Sequence, residues 1–510
     1  MTARRCLSFF FIILILPFIL SIAACGGGGG GTPAPTPTPT PTPSTAKEWT
    51  WMSGSSIAST STSALPGLYG TLGTPAAGNV PGGRSGATSW IDKSGNLWLF
   101  GGQGFDFAGA SGLQNDLWEF SPTNRVWTWV SGAESEGSVK SGQSAGQAGV
   151  YGTLGISAAG NVPGGRGAAV GWIDGSGNLW LFGGVGIDST GTQGILNDLW
   201  EFSPTSKEWT WVSGSSTAGG ICCAGGPAGV YGTLGVPAAG NVPGGRQYSV
   251  SWIDSSGTLW LFGGEGYAST QSAFGYLNDL WQYNPTTKTW TWMSGSNTLG
   301  VKGGQPGVYG ALGVTAASNV PGGRTPAASW IDGNGNLWLF GGYSFDINDF
   351  SGFLNDLWEF NPTSKEWTWV SGSNSTGGST VASGVYGTLG VAATGNVPSG
   401  RIGTVSWKDN SGNLWLFGGD VSGGMNNDLW EFNLTSKEWT WVGGVNAEGT
   451  QEAAPGIYGT LGVPASANIP EGRDGAVGWI DGSGYLWLFG GASAYGNTGG
   501  LLNDLWRYHP

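Results

Sequence analysis

Between residues 47 and 510, apolar and polar positions recur in a fixed order, and that order repeats six times. Each copy opens with a Tyr-Gly element (Tyr69, Tyr151, Tyr231, Tyr309, Tyr386, Tyr458), followed by Gly-Arg. A stretch of small residues closed by Trp, an apolar run ending in Gly-Gly, an Asn-Asp-Leu-Trp and a Trp-Thr-Trp complete it. Tyr to Arg is 15 residues in every copy, Arg to the next Trp is 6, and that Trp to Gly-Gly is 11. The Asp of Asn-Asp-Leu-Trp precedes Trp-Thr-Trp by 11 wherever both occur. Constant spacing of this kind marks one supersecondary unit stacked repeatedly.

Four strands can be read within a unit. The first, such as 167–173, is rich in Gly, Ala and Val, as an inner strand beside a crowded axis requires. The second, Leu179-Trp-Leu-Phe182, is continuously apolar and suits a strand buried on both faces. The third, 198–202, mixes apolar and polar residues, and the fourth, 208–212, puts both indoles of Trp-Thr-Trp on one face. Asp174-Gly-Ser-Gly-Asn178 and Ser203-Pro-Thr-Ser-Lys207 read as the hairpin turns between them. Four antiparallel strands repeated six times predict an all-β, six-bladed β-propeller over 47–510. Five Trp per unit account for all 30 in the chain, and a regular blade position makes each one packing between sheets. The last unit stops at Pro510 without a fourth strand, while a spare Lys47-Glu-Trp-Thr-Trp51 precedes the first. The N-terminal strand is therefore expected to complete the last blade and hide two sheet edges.

The Gly-Arg start, the paired glycines (Gly101-Gly102, Gly183-Gly184, Gly263-Gly264, Gly341-Gly342, Gly418-Gly419, Gly490-Gly491) and the Asn-Asp-Leu-Trp strand followed by Trp resemble kelch repeats. The resemblance implies a propeller that serves as a binding platform, as most kelch propellers do. A minority are enzymes. The Arg-to-Arg steps, 82, 80, 78, 77 and 72, exceed the ~50 residues of an ordinary kelch repeat because a long connection precedes each first strand.

Length varies in two places. The gap from Gly-Gly to Asn-Asp is 13, 13, 14, 13, 8 and 12, and that from Trp-Thr-Trp to Tyr is 18, 22, 20, 17, 17 and 17. In a four-stranded blade both connections emerge on the same face, which makes that face the expected binding rim. Its aromatic anchors are Phe105, Phe107, Tyr267, Phe274, Tyr343, Phe345, Phe350 and Tyr495. Two readings of the six arginines Arg84, Arg166, Arg246, Arg324, Arg401 and Arg473 stand side by side. One is an anion-binding ring at the channel mouth, since guanidinium forks suit carboxylate or phosphate. The resemblance favours it, because some kelch propellers hold acidic peptides with arginines there. The other is pairing inside each blade with the Asp of Asn-Asp-Leu-Trp (Asp116, Asp198, Asp279, Asp356, Asp428, Asp504), and sixfold repetition favours that.

Residues 1–24 read as an export signal, with Arg4 and Arg5 ahead of an apolar run that Pro17 interrupts. Leu20-Ser-Ile-Ala-Ala-Cys25 resembles a bacterial lipobox, which makes Cys25 the lipidation site and places the protein in the outer membrane or at the cell surface. Residues 25–46, a glycine run followed by alternating Thr-Pro, form an extended stalk of ~3 Å per residue in the Pro-rich part. Membrane contact is expected through the lipid alone.

Composition narrows the chemistry. The chain has 99 glycines among 510 residues, so turns are numerous, and only 10% charged residues with a net charge of -13. An acidic, charge-poor surface excludes nucleic acid as a partner. The single histidine, His509, excludes a Ser/His/Asp triad in the body and any site with several imidazole ligands. The expectation is a monomeric, non-enzymatic scaffold for a protein or glycan ligand, without cofactor or metal. A carbohydrate epimerase or lyase, or an architectural surface protein, is the alternative. Asp174 to Asn178 supplies one carboxylate, too few for calcium. Asp346, Asn348 and Asp349 read as a solvated loop rather than a cation site. The adjacent Cys222 and Cys223 can oxidise to a strained vicinal disulfide outside the cytoplasm.

Overall fold

A computed structural model describes residues 47–60, 63–137, 143–220, 225–270, 273–376, 380–422, 424–446, 454–493 and 500–510. Cys25, Cys222, Cys223, Tyr495, the signal segment and the stalk lie outside the described residues. Among these residues the structure is all-β, without a helix. The second repeat forms one antiparallel meander of Val170–Ile173, Leu179–Ile187, Gln193–Ser203 and Glu208–Ser213. Equivalent meanders begin at Thr88–Ile91, Val250–Ile253, Ala328–Ile331 and Val405–Lys408. In the last repeat Val477–Ile480, Leu486–Ser493 and Gly500–Tyr508 are joined by Trp49–Ser53, with Trp49 opposite Tyr508 and Trp51 opposite Trp506.

These sheets pack face to face as a β-propeller, and each interface is a separate apolar layer. Leu179, Leu181 and Trp209 of the second sheet meet Trp98, Phe100 and Leu117 of the first. Val477, Trp487 and Phe489 of the sixth meet Leu97, Leu99 and Trp127 of the first. The all-apolar Leu-Trp-Leu-Phe strand is buried along its whole length because it faces such a layer on both sides. Near the axis the first-strand Trp donates its indole N–H to a carbonyl of the next sheet: Trp90 to Trp180, Trp172 to Trp260, Trp330 to Trp415, Trp407 to Trp487 and Trp479 to Trp98, at 3.0–3.4 Å.

The long connections have a structural use. Each lies along the outer strand of its own sheet, as where Gly155 N donates to Trp211 O and Asn161 Nδ2 to Trp209 O. The N-terminal strand is covered the same way, with Gly462 N donating to Trp51 O and Asn468 Nδ2 to Trp49 O. Unpaired outer edges, which invite association, are thereby occupied.

The second and third strands run further than the sequence reading expects, because the second continues beyond Gly-Gly to Ile187 and the third starts at Gln193. Gly183 and Gly184 make the bulge, with φ of 65° and 93° in succession. A Cβ on Gly184 would stand 2.6 Å from the Gly167 carbonyl, so the pair must be glycine. The first strand, expected to be continuous over 167–173, is split at Ala168, whose φ is 56°.

Candidate functional site

The six arginines sit where each chain segment enters its sheet, and each is 1% exposed. Arg166 sends Nη1 to Asp198 Oδ1 at 2.7 Å and Nη2 to Oδ2 at 2.8 Å. Two further donors go to the carbonyls of Gly183 and Gly164. The carboxylate also accepts Tyr151 Oη and Trp200 Nε1, both at 2.7 Å. The same fork joins Arg84 to Asp116, Arg246 to Asp279, Arg324 to Asp356, Arg401 to Asp428 and Arg473 to Asp504. Burial opposes the guanidinium charge, but the facing aspartate outweighs it and raises the pKa. Burial and the same aspartate push the tyrosines well up. Of the two readings of these arginines, the geometry is that of internal pairing, and no guanidinium has a face open to the axis.

The Asp174 turn is likewise self-contained. Oδ1 accepts the amides of Ser176 and Asn178, and Oδ2 accepts Trp180 Nε1. On the other face, Asp106, Asp188 and Asp346 each tie a second-to-third hairpin to the loop that follows the sheet. Asp346 is buried, not solvated. Its Oδ1 accepts the amides of Asn348 and Phe350, and although burial opposes its charge these donors hold its pKa down. Asp349 pairs with Lys302 at 3.0 Å on the surface.

The expected rim aromatics divide into three groups. Phe107 and Phe350 are exposed, and Phe105, Phe274 and Tyr343 are half-buried. Tyr267 and Phe345 are buried instead, because glycines of the neighbouring loops, Gly226 and Gly304, lie flat against their rings.

What the sequence reading missed is a cavity of about 510 Å³ on the axis, reached from the variable-loop face. Its wall is built from two or three of the three residues that follow each arginine, together with Glu265, Tyr276, Tyr343 and Phe353. The second of those residues holds the axis together: Gly86 N donates to Gly475 O, Ala168 N to Gly86 O, Tyr248 N to Ala168 O and Gly475 N to Gly403 O, at 2.8–3.0 Å. Such a link needs a left-handed residue, and φ is 63° at Gly86 and Gly403 and 59° at Gly475. Tyr248 adopts 55° despite its bulk, a strained choice for an aromatic residue. In the fourth sheet Pro326 has no N–H to give, and Thr325 Oγ1 reaches the Tyr248 carbonyl at 3.4 Å instead.

Tyr248 is 41% exposed and lines the cavity, and the surrounding protein still desolvates its hydroxyl. That desolvation, reinforced by Asp474 and Glu265, raises its pKa to about 12. Burial and the nearby Asp420 push Asp474 up to about 7. Glu265 is also raised by burial, with Gln247 Nε2 donating to it at 3.0 Å in partial compensation. Tyr276 packs on Tyr343 at 5.5 Å, and Tyr343 on Phe353 at 5.5 Å. The signal for this site lay in the repeat itself. At the position two after arginine the chain has Gly, Ala, Tyr, Pro, Gly and Gly, and directly after Gly-Gly it has Gln, Val, Glu, Tyr, Asp and Ala.

No family profile matches the chain. Residues of the chain are 29% identical over 209 positions to multiple epidermal growth factor-like domains protein 8 of Homo sapiens, and to the proteins of the same name from Rattus norvegicus and Mus musculus. The match takes in 41% of this chain and spans 5% of the length of each of those proteins. Among solved structures, that of YjhT aligns with 86% of this chain and 95% of its own, at 14% identity and a TM-score of 0.46.

Proposed function

We propose that the chain is an exported, lipid-anchored, kelch-type propeller of six blades, closed by its N-terminal strand, which presents a binding face for a protein or glycan. Supporting the closed ring are the pairing of Trp49–Ser53 with Gly500–Tyr508 and the Trp479 to Trp98 and Gly86 to Gly475 links between the sixth and first sheets. The observation that carries the binding reading is where repetition fails. Arginine forks, turns and interfaces recur sixfold, whereas the second-to-third connections and the cavity wall differ from sheet to sheet on one face. A rigid scaffold with one variable face is how loop-borne recognition is built.

Two variants test this against surface glycans and proteins of the source cell. One has every second-to-third connection shortened to the length in the fifth repeat; the other has the opposite-face hairpins replaced by Asn-Gly turns. Binding is expected to vanish only in the first. Loss in the hairpin variant with retention in the loop variant would overturn the assignment.

Anchoring is tested separately. Cys25→Ser should move the protein from the membrane fraction to the soluble one, and absence of labelled fatty acid on the unmodified protein would remove the lipoprotein reading.

A further inference from the structure

The axial cavity joins two features that the sixfold frame does not require. One is an aromatic wall from the third and fourth sheets: Tyr248, Tyr276, Tyr343 and Phe353. The other is a pair of carboxylates from different sheets, Glu265 and Asp474, both lining the same space. No lysine or arginine is among the described residues of the wall, since the six arginines are turned into their sheets and neutralised there. The Tyr248 hydroxyl has no hydrogen-bond partner among the described residues, and its ring lines the cavity from a left-handed backbone position, φ 55°.

We propose that this cavity is a binding site for an alkylammonium or guanidinium cation, held between the Glu265 and Asp474 carboxylates and the faces of Tyr248, Tyr276 and Tyr343. The inference rests on the reading of this face as the binding face and adds the chemistry of the ligand. Two desolvated carboxylates without a basic partner are relieved by a cation and repel an anion. Aromatic faces attract the same charge through their quadrupoles, more strongly where water is excluded. A volume of about 510 Å³ is within the range of small-ligand pockets, typically ~300–1,000 Å³, and admits a long side chain or an amine of similar size.

The test is titration calorimetry on the full lipidated chain in detergent, with Nα-acetyl-lysine amide, Nα-acetyl-arginine amide and spermidine as probes. Nα-acetyl-glutamate amide and N-acetylglucosamine serve as comparators. The cationic probes should bind and both comparators fail. The E265Q/D474N double variant should lose at least tenfold in affinity, with each single variant and Tyr248→Ala in between. Lys93→Ala, on the opposite face, should bind as the unmodified chain does. A cooperative thermal transition in each variant separates lost affinity from lost folding. Stronger binding of the two amides than of spermidine identifies a basic polypeptide side chain as the source of the cation, and the reverse identifies a free polyamine; either order supports the proposal. Equal affinity in the double variant, no cation binding at all, or tighter binding of the acidic amide or the sugar would overturn it. If the cations fail while the shortened-loop variant still loses its macromolecular ligand, this inference falls and the binding face stands.

Discussion

Replacing Asp198 with alanine is expected to destabilise the protein by about 3–5 kcal/mol, the cost of leaving a buried charge without its partner. The carboxylate accepts four hydrogen bonds, two from Arg166 and one each from Tyr151 and Trp200. Its removal therefore strands a cation, a hydroxyl and an indole N–H in a site that water does not reach. Denaturant titration at neutral pH should show the midpoint falling with little change in slope, if the transition stays two-state. Arg246→Lys should cost less, because an ammonium keeps the charge opposite Asp279 but loses the fork and the contact with Gly263 O. A midpoint unchanged in Asp198→Ala would contradict a structural role for these pairs. The same variants should leave any cation affinity at the axis intact in the fraction that folds, since the paired arginines do not face the cavity.

Deleting Lys47 to Met52 should be comparably severe. Trp49 is buried between Phe417 at 5.3 Å and Tyr508 at 5.1 Å, so its loss removes an aromatic worth roughly 3–5 kcal/mol on the scale of buried Phe or Trp truncations. Trp51 stacks edge-on against Tyr458 at 5.3 Å and adds a smaller share, being half-buried. The deletion also bares the edge of Gly500–Tyr508, which now pairs with Trp49–Ser53. A bared edge templates association, so the variant should elute as dimers or larger species and melt at a lower temperature. Trp49→Ala alone should lower the melting temperature and leave the chain monomeric, because the backbone ladder remains. An unchanged melting temperature and a monomeric elution after the deletion would count against the closed six-bladed ring.

Much of the scaffold was legible in the chain because its chemistry is local and repeated. Leu-Trp-Leu-Phe announces a strand buried on both faces, and Asp174 to Asn178 announces a hairpin turn, which in the structure closes on the Asp174 side chain. The spacing from Arg to Asp, 32, 32, 33, 32, 27 and 31, contains one of the two variable gaps, so it was the sixfold recurrence of both residues that made their pairing one of two readable outcomes. The choice between those outcomes was not local. Whether a guanidinium points along the axis or into its sheet is decided by the third strand, which brings the aspartate carboxylate within 2.7–2.8 Å of it once the sheet has formed, and Arg324 turns inward like the others although Pro326 follows it.

The cavity belongs wholly to the tertiary structure. Tyr248, Glu265 and Asp474 come from two sheets far apart in the chain, and only the packing of the sheets around the cavity brings them to the same space. By itself the sequence determined the strands, their order, the turns and the face on which variation is allowed, because hydrophobic period, glycine conformation and spacing act within a repeat. The tertiary structure decided which side chains face the axis, which aromatics are buried by a neighbouring glycine, and which carboxylates share a low-dielectric space. Those outcomes depend on contacts between repeats, and no single repeat carries the information for them.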